Sequence, residues 1–326
     1  MSKPTASLSL DLDNKWSYMK NNGAEGWEEY PSYLDIFVPY ILELLEGLDL
    51  KLTFFIVGQD AAFEHNRKYI RMIADAGHEI ANHSYKHETF LHLYTREELE
   101  DEIDKSHTII KVASGCEPKG FRGPGFTWSE TLLEVLVEKG YIYDSSTFPT
   151  IIGPLARMYY FRTSSLTKEQ KKERKELFGK FSDGFMKLKP YFWKLKNSAR
   201  LLEIPVTTMP LFRIPIHLTY LVYLSAQSEQ LMFLYLKCAI YLCKLTRTSP
   251  NFLIHPTDLL GGDMITGMEF FPGMQIPSHK KSAIFKKVIN IFAKHFTLVT
   301  LEEHAVGIRE KYDKDEIINK RITHKY

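Results

Sequence analysis

Cysteine is scarce in this 326-residue chain, with Cys116, Cys238 and Cys243 as its three thiols. Their spacing forms no disulfide framework and none lies near the paired histidines described below, so a reducing compartment is expected. No uninterrupted apolar run reaches the ~18 residues of a simple membrane span. Residues 1–7 lack the charged-then-apolar pattern of a secretory signal, which adds to the expectation of a cytoplasmic location. Internal repeats and low-complexity tracts are absent, so repeat and fibrous architectures are excluded. A net charge of +2 is uninformative in total, but its distribution is not. Residues 151–210 hold thirteen Lys/Arg against five Asp/Glu, which leaves the remainder of the chain at −6.

What is present is ordinary globular material, 44% apolar and 25% charged, enough for one large core or two modest ones. Residues 7–14 alternate as a strand, so Asp11 and Asp13 emerge on one face at its C-terminal end. Two adjacent carboxylates are relieved by a cation, although Asp and Asn closing a strand in a solvated turn read equally well in isolation. An amphipathic helix is predicted over 33–46 despite Pro39, a buried strand over 51–58 and a helix over 61–76 with Gly77 as its stop. A short strand over 78–81 then delivers Asn82-His83-Ser84-Tyr85-Lys86-His87. Imidazoles four residues apart share one face of a helical turn and can reach one ion. Such a pair wants a third ligand, and a catalytic zinc site keeps a fourth position open. Alone, a His-x3-His in a chain with twelve histidines is more often not a metal site.

Thr95 and Glu98 have capping-box spacing and open a helix over 95–113. A strand runs into Arg122 and the turn Gly123-Pro124-Gly125; Arg122 can hold a carboxylate bidentately, and the glycines expose backbone N–H groups. A helix over 127–139 and a strand over 141–146, carrying Asp144, follow. Residues 154–200 are basic and aromatic with no clear strand. A strand returns over 201–207, two apolar helices lie within 217–245, and residues 251–256 form a strand ending in His255. A basic helix over 280–295, a strand over 296–301 and a loose charged tail from 311 close the chain. Short apolar strands alternating with helices of ~12–16 residues indicate parallel β/α units. Ligands of such folds bind at the C-terminal strand ends, where Asp11, Asp13, His83, His87, Arg122, Asp144 and His255 all fall.

With these parts in order, the chain resembles the polysaccharide deacetylases (NodB-homology, family 4 carbohydrate esterases) over residues 6–150 and 251–305. The family's first motif looks like Leu10-Asp11-Leu12-Asp13-Asn14, its second is His83-Ser84-Tyr85-Lys86-His87, its third Arg122-Gly123-Pro124-Gly125 and its fifth Leu253-Ile254-His255. Asp144 is the best candidate for the fourth. Two departures stand out: the usual Asp-Asp pair is Asp-x-Asp, and Gly125 stands where Tyr is usual. The resemblance implies a distorted (β/α)7-8 barrel. Residues 1–150 would be its first part and 251–305 its last. Residues 151–250 would be a helical, basic-aromatic insertion contributing one barrel strand (201–207), and 306–326 a charged tail. It also implies that Asp13, His83 and His87 hold a divalent metal, zinc by default with cobalt, nickel or manganese possible. By the same implication, Asp11 is the base, oriented by Arg122; the Gly125 N–H stabilises the oxyanion and His255 protonates the leaving amine. The amide removed would be the acetyl, or formyl, of an amino sugar.

The insertion bears on the substrate. Lys187, Lys189, Lys194 and Lys196 interleave with Phe185, Tyr191, Phe192 and Trp193, a mixture suited to anionic headgroups or to a substrate phosphate. A peripheral enzyme on the inner face of the cytoplasmic membrane, acting on an amino sugar linked to polyisoprenyl phosphate, is therefore expected. A lid reaching a substrate phosphate is the competing role for the same segment. A deacetylase of soluble or polymeric sugars, a cytosolic cyclic-amide hydrolase and an inactive carbohydrate-binding protein are the alternatives. No nucleic-acid recognition motif accompanies the basic stretch.

Overall fold

The computed structural model describes residues 3–173, 181–196 and 199–323. Parts of the expected insertion (174–180 and 197–198) and the end of the expected tail lie outside these residues. The chain begins with β1 (Thr5–Asp11), α1 (Lys15–Asn22), α2 (Leu34–Glu46), β2 (Thr53–Ile56), α3 (Gly58–Ala62), α4 (Glu64–Asp75) and β3 (Glu79–Asn82). There follow α5 (Arg96–Ser114), β4 (Gly120–Phe121), α6 (Glu130–Glu138), β5 (Tyr143–Asp144), α7 (Gly153–Thr163) and α8 (Lys168–Glu173). Then come β6 (Tyr191–Lys194), β7 (Arg200–Glu203), α9 (Leu218–Gln227), α10 (Glu229–Thr246), β8 (Asn251–Ile254), α11 (Ser278–His295), β9 (Thr297–Val299) and α12 (Leu301–Thr323).

The nine strands form one curled sheet in the order β6-β7-β5-β4-β3-β2-β1-β8, with β9 also on β1. Every pairing is parallel except the β6–β7 hairpin. Ser7 pairs with both Asn251 and Val299, and Ser9 with both Thr53 and Leu253, so β9 and β2 share one edge of β1. After β7 the chain runs back to β8, where Thr207 N–H donates to the Asn251 carbonyl (3.1 Å) and Asn251 N–H to Thr207 Oγ1 (2.8 Å). These bonds bring the far side of the sheet back toward its start, giving the distorted NodB-type half-barrel.

Strand β1 shows how the two sides of the sheet differ. Ala6, Leu8 and Leu10 join the large apolar core under the helices. Ser7, Ser9 and Asp11, on the alternate face, are equally buried but polar. The lumen of the barrel is thus lined by hydrogen-bonding groups. Asn251 is its hub: Nδ2 donates to Ser145 Oγ (2.9 Å) and the Ile204 carbonyl (3.2 Å), while Oδ1 accepts from Ser9 Oγ (3.1 Å).

Three local expectations change. Tyr191-Phe192-Trp193-Lys194 is a strand, β6, paired with β7, and Trp193 lies tilted against Trp128, just before α6, at 4.7 Å between centroids. The closing segment is helical, since α12 runs from Leu301 to Thr323, and its first turns pack against the core through Ala305 and Ile308. The His83–His87 segment is a loop and not a helical turn, with Ser84 (φ 64°) and His87 (φ 55°) in the left-handed region.

Asn251→Ala removes the lumen hub: the Ser9 hydroxyl loses its acceptor, while the Ile204 carbonyl and Ser145 hydroxyl each lose one of their bonds but keep the one between them. It is expected to lower unfolding stability by roughly 2–3 kcal/mol, read as a shift in urea midpoint at unchanged slope.

Candidate active site

Strand β1 ends at Asp11, and Asp13 follows after one buried leucine. Tyr33 donates its hydroxyl to the Asp13 carbonyl, which fixes the backbone at this point. Behind it, Asp60 of α3 accepts from Asn14 Nδ2 (2.7 Å) and Trp16 Nε1 (3.0 Å). Burial pushes the Asp60 carboxyl up to about 7.

The loop after β3 carries the histidines. A buried glutamate of α5, Glu102, pins it by accepting from Tyr85 N–H (2.9 Å) and Lys86 N–H (2.7 Å) through Oε1. Ser84 Oγ accepts from His87 N–H (3.2 Å), closing the turn. In consequence His87 Nε2 lies 2.9 Å, and His83 Nε2 3.5 Å, from Asp13 Oδ1. Asp13, His83 and His87 are all buried, and their ligand atoms lie within 4.8 Å of one another. His83 Nδ1 sits 2.6 Å from the Arg122 carbonyl and donates there, which turns Nε2 toward Asp13. Burial raises the Asp13 carboxyl, but the charges and hydrogen bonds of His87 and His83 overcome this and hold it well below the usual range. One anionic and two imidazole donors converging on one point fit a divalent metal ion.

Asp11 is placed differently. Its Oδ1 accepts from Arg122 Nη1 at 2.5 Å, while Oδ2 faces His83 Nε2 (4.0 Å) and His255 Nε2 (3.8 Å). Arg122 is wholly buried. It lies over the Phe55 ring at 4.2 Å and donates Nε to the Ser145 carbonyl (3.0 Å) and Nη2 to Ser9 Oγ (3.0 Å) and Ser145 Oγ (2.9 Å). One carboxylate oxygen is therefore committed and the other aimed at the space between the two histidines.

His255 enters at the end of β8. Asp258, three residues on, accepts from His255 N–H (2.8 Å) through Oδ2, which also lies 3.7 Å from Nδ1. Lys281 of α11, itself buried, holds this turn by donating to the Thr257 (2.7 Å) and Leu260 (2.5 Å) carbonyls. Burial alone pushes the His255 imidazole down, but Asp258, then Asp11 and Asp13, reverse this and hold it at about 9. A second imidazole, His217, stands with its ring 6.0 Å from His255 and 5.6 Å from Phe148. Burial, then the neighbouring His255, pushes it down to about 3, and its buried Nδ1 has no partner.

Arg122 is followed by a turn at Pro124–Phe126 in which Gly125 has φ 62°. The turn's own bonds run from Phe126 N–H to Gly123 O and from Thr127 N–H to Pro124 O, leaving the Gly125 N–H out of the pattern. A side chain at Gly123 would collide with the Thr127 carbonyl. Asp144 is not brought to this cluster. Its carboxylate accepts from Ser146 Oγ (2.6 Å), and Ser146 Oγ accepts from Gly123 N–H (2.8 Å), so Asp144 stands behind the Gly123–Gly125 turn. It is opposite Glu203 in register. Burial first, and the Asp144 charge next, push the Glu203 carboxyl well above its usual range, so Glu203 keeps a proton for the pair. The four lysines also separate. Lys187 and Lys189 line a groove with Arg213, whereas Lys196 faces Glu134 of α6 at 3.5 Å and Lys194 is exposed on β6.

Glu102, Asp258, Glu203 and His217 were not singled out from sequence. An Asp three residues after a strand-terminal His-Pro was the available sign for Asp258; the others are lone polar residues in amphipathic surroundings. Because its pKa is raised, His255 keeps its proton until the pH passes about 9. Asp258→Asn removes the leading upward contribution and is expected to move the His255 imidazole midpoint toward about 6.5, as followed by NMR titration. An unchanged midpoint would assign the elevated value to other groups.

The Polysaccharide deacetylase family profile matches residues 27–143. A peptidoglycan deacetylase of Helicobacter pylori is 31% identical over 163 residues, covering 48% of this chain and 52% of that protein. Peptidoglycan-N-acetylglucosamine deacetylase of Bacillus cereus is 31% identical over 106 residues, covering 32% of this chain and 38% of that protein. The chain thus spans about half, or less, of these relatives. A crystal structure from Mycobacterium smegmatis assigned to the polysaccharide deacetylases superposes with a TM-score of 0.60 at 18% identity, covering 95% of this chain and 92% of that one, a likeness of fold. Residues 27–143 thus resemble the polysaccharide deacetylases in sequence, and the chain shares the fold of the Mycobacterium smegmatis structure, with the ordered motifs meeting at one end of the half-barrel.

Proposed function

We propose that the chain is a metal-dependent amide hydrolase that removes an acetyl, or formyl, group from an amino sugar. The observation that carries this reading is the meeting of an Arg122-bound carboxylate, an Asp-His-His donor set and a protonated imidazole around one space. Asp13, His83 and His87 would hold the metal, which when bound supplies a Lewis acid beside the base. Asp11 Oδ2 takes a proton from the attacking water, whose oxygen adds to the carbonyl carbon. Arg122 keeps that oxygen in place through its bond to Oδ1. The Gly125 N–H is free to receive the tetrahedral oxyanion; one such donor is worth roughly 3 kcal/mol. His255 gives its proton to the nitrogen as the C–N bond breaks, so the products are a carboxylate and an amine.

For the substrate, we favour an amino sugar carried on polyisoprenyl phosphate at the inner face of the cytoplasmic membrane. The cationic, aromatic insertion supports this, because a free sugar has no use for Lys187, Lys189 and Arg213 around one groove. Deacetylation of a polymeric or soluble sugar is the second reading, favoured by the relatives named for peptidoglycan and chitooligosaccharide deacetylation.

Asp13→Ala is expected to lose bound metal and activity together. Asp11→Asn should retain the metal, by elemental analysis, and lose roughly 10²-fold or more in kcat; near-normal turnover would remove Asp11 as base. The substrate is tested by mass spectrometry after incubation with polyisoprenyl-phosphate N-acetylhexosamine, chitooligosaccharide and UDP-N-acetylglucosamine. Loss of acetyl from the lipid-linked sugar alone is the expected result. Reaction of the free oligosaccharide instead would transfer the assignment to the second reading, and inertness toward every N-acyl sugar in a metal-loaded protein would favour a binding protein.

A further inference from the structure

We propose that the outer face of α10, together with the tip of the 208–217 hairpin, is a docking surface for an anionic lipid bilayer. The surface is argued from its own chemistry and rests on the carrier-linked reading only for the use that docking would serve.

Helix α10 is apolar on both sides. Met232, Leu236, Ala239, Ile240 and Cys243 are buried against the body of the protein. On the opposite side Leu231 (51% exposed), Leu234 (60%), Tyr241 (65%) and Leu245 (64%) stand in solvent with the exposed Cys238. Their spacing of three and four residues makes one stripe along the helix. A solvated helix face is normally charged or polar, so this stripe calls for a cover.

The hairpin lies beside it. Tyr235 of α10 donates its hydroxyl to the Pro215 carbonyl (2.6 Å). At the far end Thr246 and Thr248 share a groove of about 620 Å³ with Pro210, Leu211, Lys187 and Lys189. The hairpin closes through a Thr208–Pro215 bridge and turns at Leu211 (φ 73°) and Arg213 (φ 53°). This turn leaves Leu211 71% and Phe212 58% exposed. It is firmly held, because Arg213 Nη1 donates to the Gly184 (2.6 Å) and Met186 (2.8 Å) carbonyls.

Charge selects the occupant. Residues 185–191, 208–217 and 230–248 contain six Lys/Arg (Lys187, Lys189, Arg213, Lys237, Lys244 and Arg247) and no Asp or Glu. Glu229, at the start of α10, is already paired with Lys287 at 2.8 Å. A second copy of the chain would set these cations against each other with no acid between them. Anionic headgroups neutralise them, while the apolar side chains enter the boundary region and the lysine stems reach outward. Among the described residues no helix is long and apolar enough to cross a membrane, so α10 would lie on the bilayer. Lys194 and Lys196 fall outside the surface.

The stripe carries its own reporter. In full-length Cys116→Ser protein, Cys238 is labelled with an environment-sensitive fluorophore and mixed with phosphatidylcholine vesicles with or without phosphatidylglycerol. A blue shift and co-sedimentation with the anionic vesicles alone are expected. The pairs Leu211→Ser/Phe212→Ser and Leu234→Ser/Tyr241→Ser should each weaken partitioning at least about tenfold at unchanged melting temperature. Lys187→Ser/Lys189→Ser should weaken it too, whereas Lys194→Ser/Lys196→Ser should not. Absence of binding, partitioning indifferent to both apolar pairs, or a dimer dissolved by Leu234→Ser/Tyr241→Ser with no vesicle binding would each overturn the proposal. Hydrolysis of a soluble N-acetylated sugar separates the two readings. Hydrolysis without sedimentation removes the surface alone, and sedimentation of a protein inert to every amide removes the catalytic reading alone.

Discussion

A guanidinium buried without access to water organises this molecule. Arg122 needs acceptors for its N–H groups, and the barrel lumen supplies four of them: Asp11 from β1, Ser9 from the same strand, and the hydroxyl and carbonyl of Ser145 after β5. Removing one partner of such a pair strands a charge in the interior, which typically costs about 3–5 kcal/mol. The requirement explains why the lumen is lined by serine and asparagine while the outer side of the same strands is aliphatic. It also orients the chemistry, since Arg122 occupies one oxygen of Asp11 and leaves the other directed between His83 and His255.

Around this centre the loops at the strand ends are held by buried acids that lend no atom to the cluster. Glu102 receives two backbone N–H groups of the histidine loop, and Asp258 receives that of His255. Glu203 receives the backbone N–H of Thr147 (3.0 Å), and Asp144 reaches Gly123 through Ser146. The histidine loop is thereby fixed to α5 and the Thr147 segment to β7, whereas Asp258 closes the His255 turn on itself and Lys281 ties that turn to α11. A carboxylate that accepts backbone N–H groups stabilises a turn that side-chain packing alone would leave loose. The arrangement allows left-handed residues such as Ser84 and His87 to persist where the two rings must meet.

This division explains what could be read from the residues alone. Asp11, Asp13, His83, His87, Arg122 and His255 were legible because each ends a short apolar strand, and parallel strands deliver their ends to one side. The supporting acids were not legible, because a glutamate on an amphipathic helix looks the same whether it faces water or a backbone turn. Asp144 was misplaced for a related reason: it ends a strand as the others do, but its side chain lies with Glu203 and not with Arg122. The histidine spacing singled out two rings that do meet beside Asp13, but through a helical turn where the structure has a pinned loop. The basic insertion concealed β6, whose aromatic side chains pack inward between lysines that point out.

Two histidines at the mouth show the same logic applied to protonation. Charged imidazoles with centroids 6.0 Å apart in a buried site would repel. The fold separates them by environment. His217 is surrounded by Phe148, Tyr220 and its neighbour imidazole with no acid in contact, and burial holds it neutral. His255 has Asp258 at its backbone and ring and Asp11 across the site, and these hold it charged. Environments that push neighbouring groups apart in this way make His255, and not His217, the imidazole that carries a proton. The neutral member comes from the segment that follows barrel closure at Thr207, at the root of the hairpin whose tip carries Leu211 and Phe212.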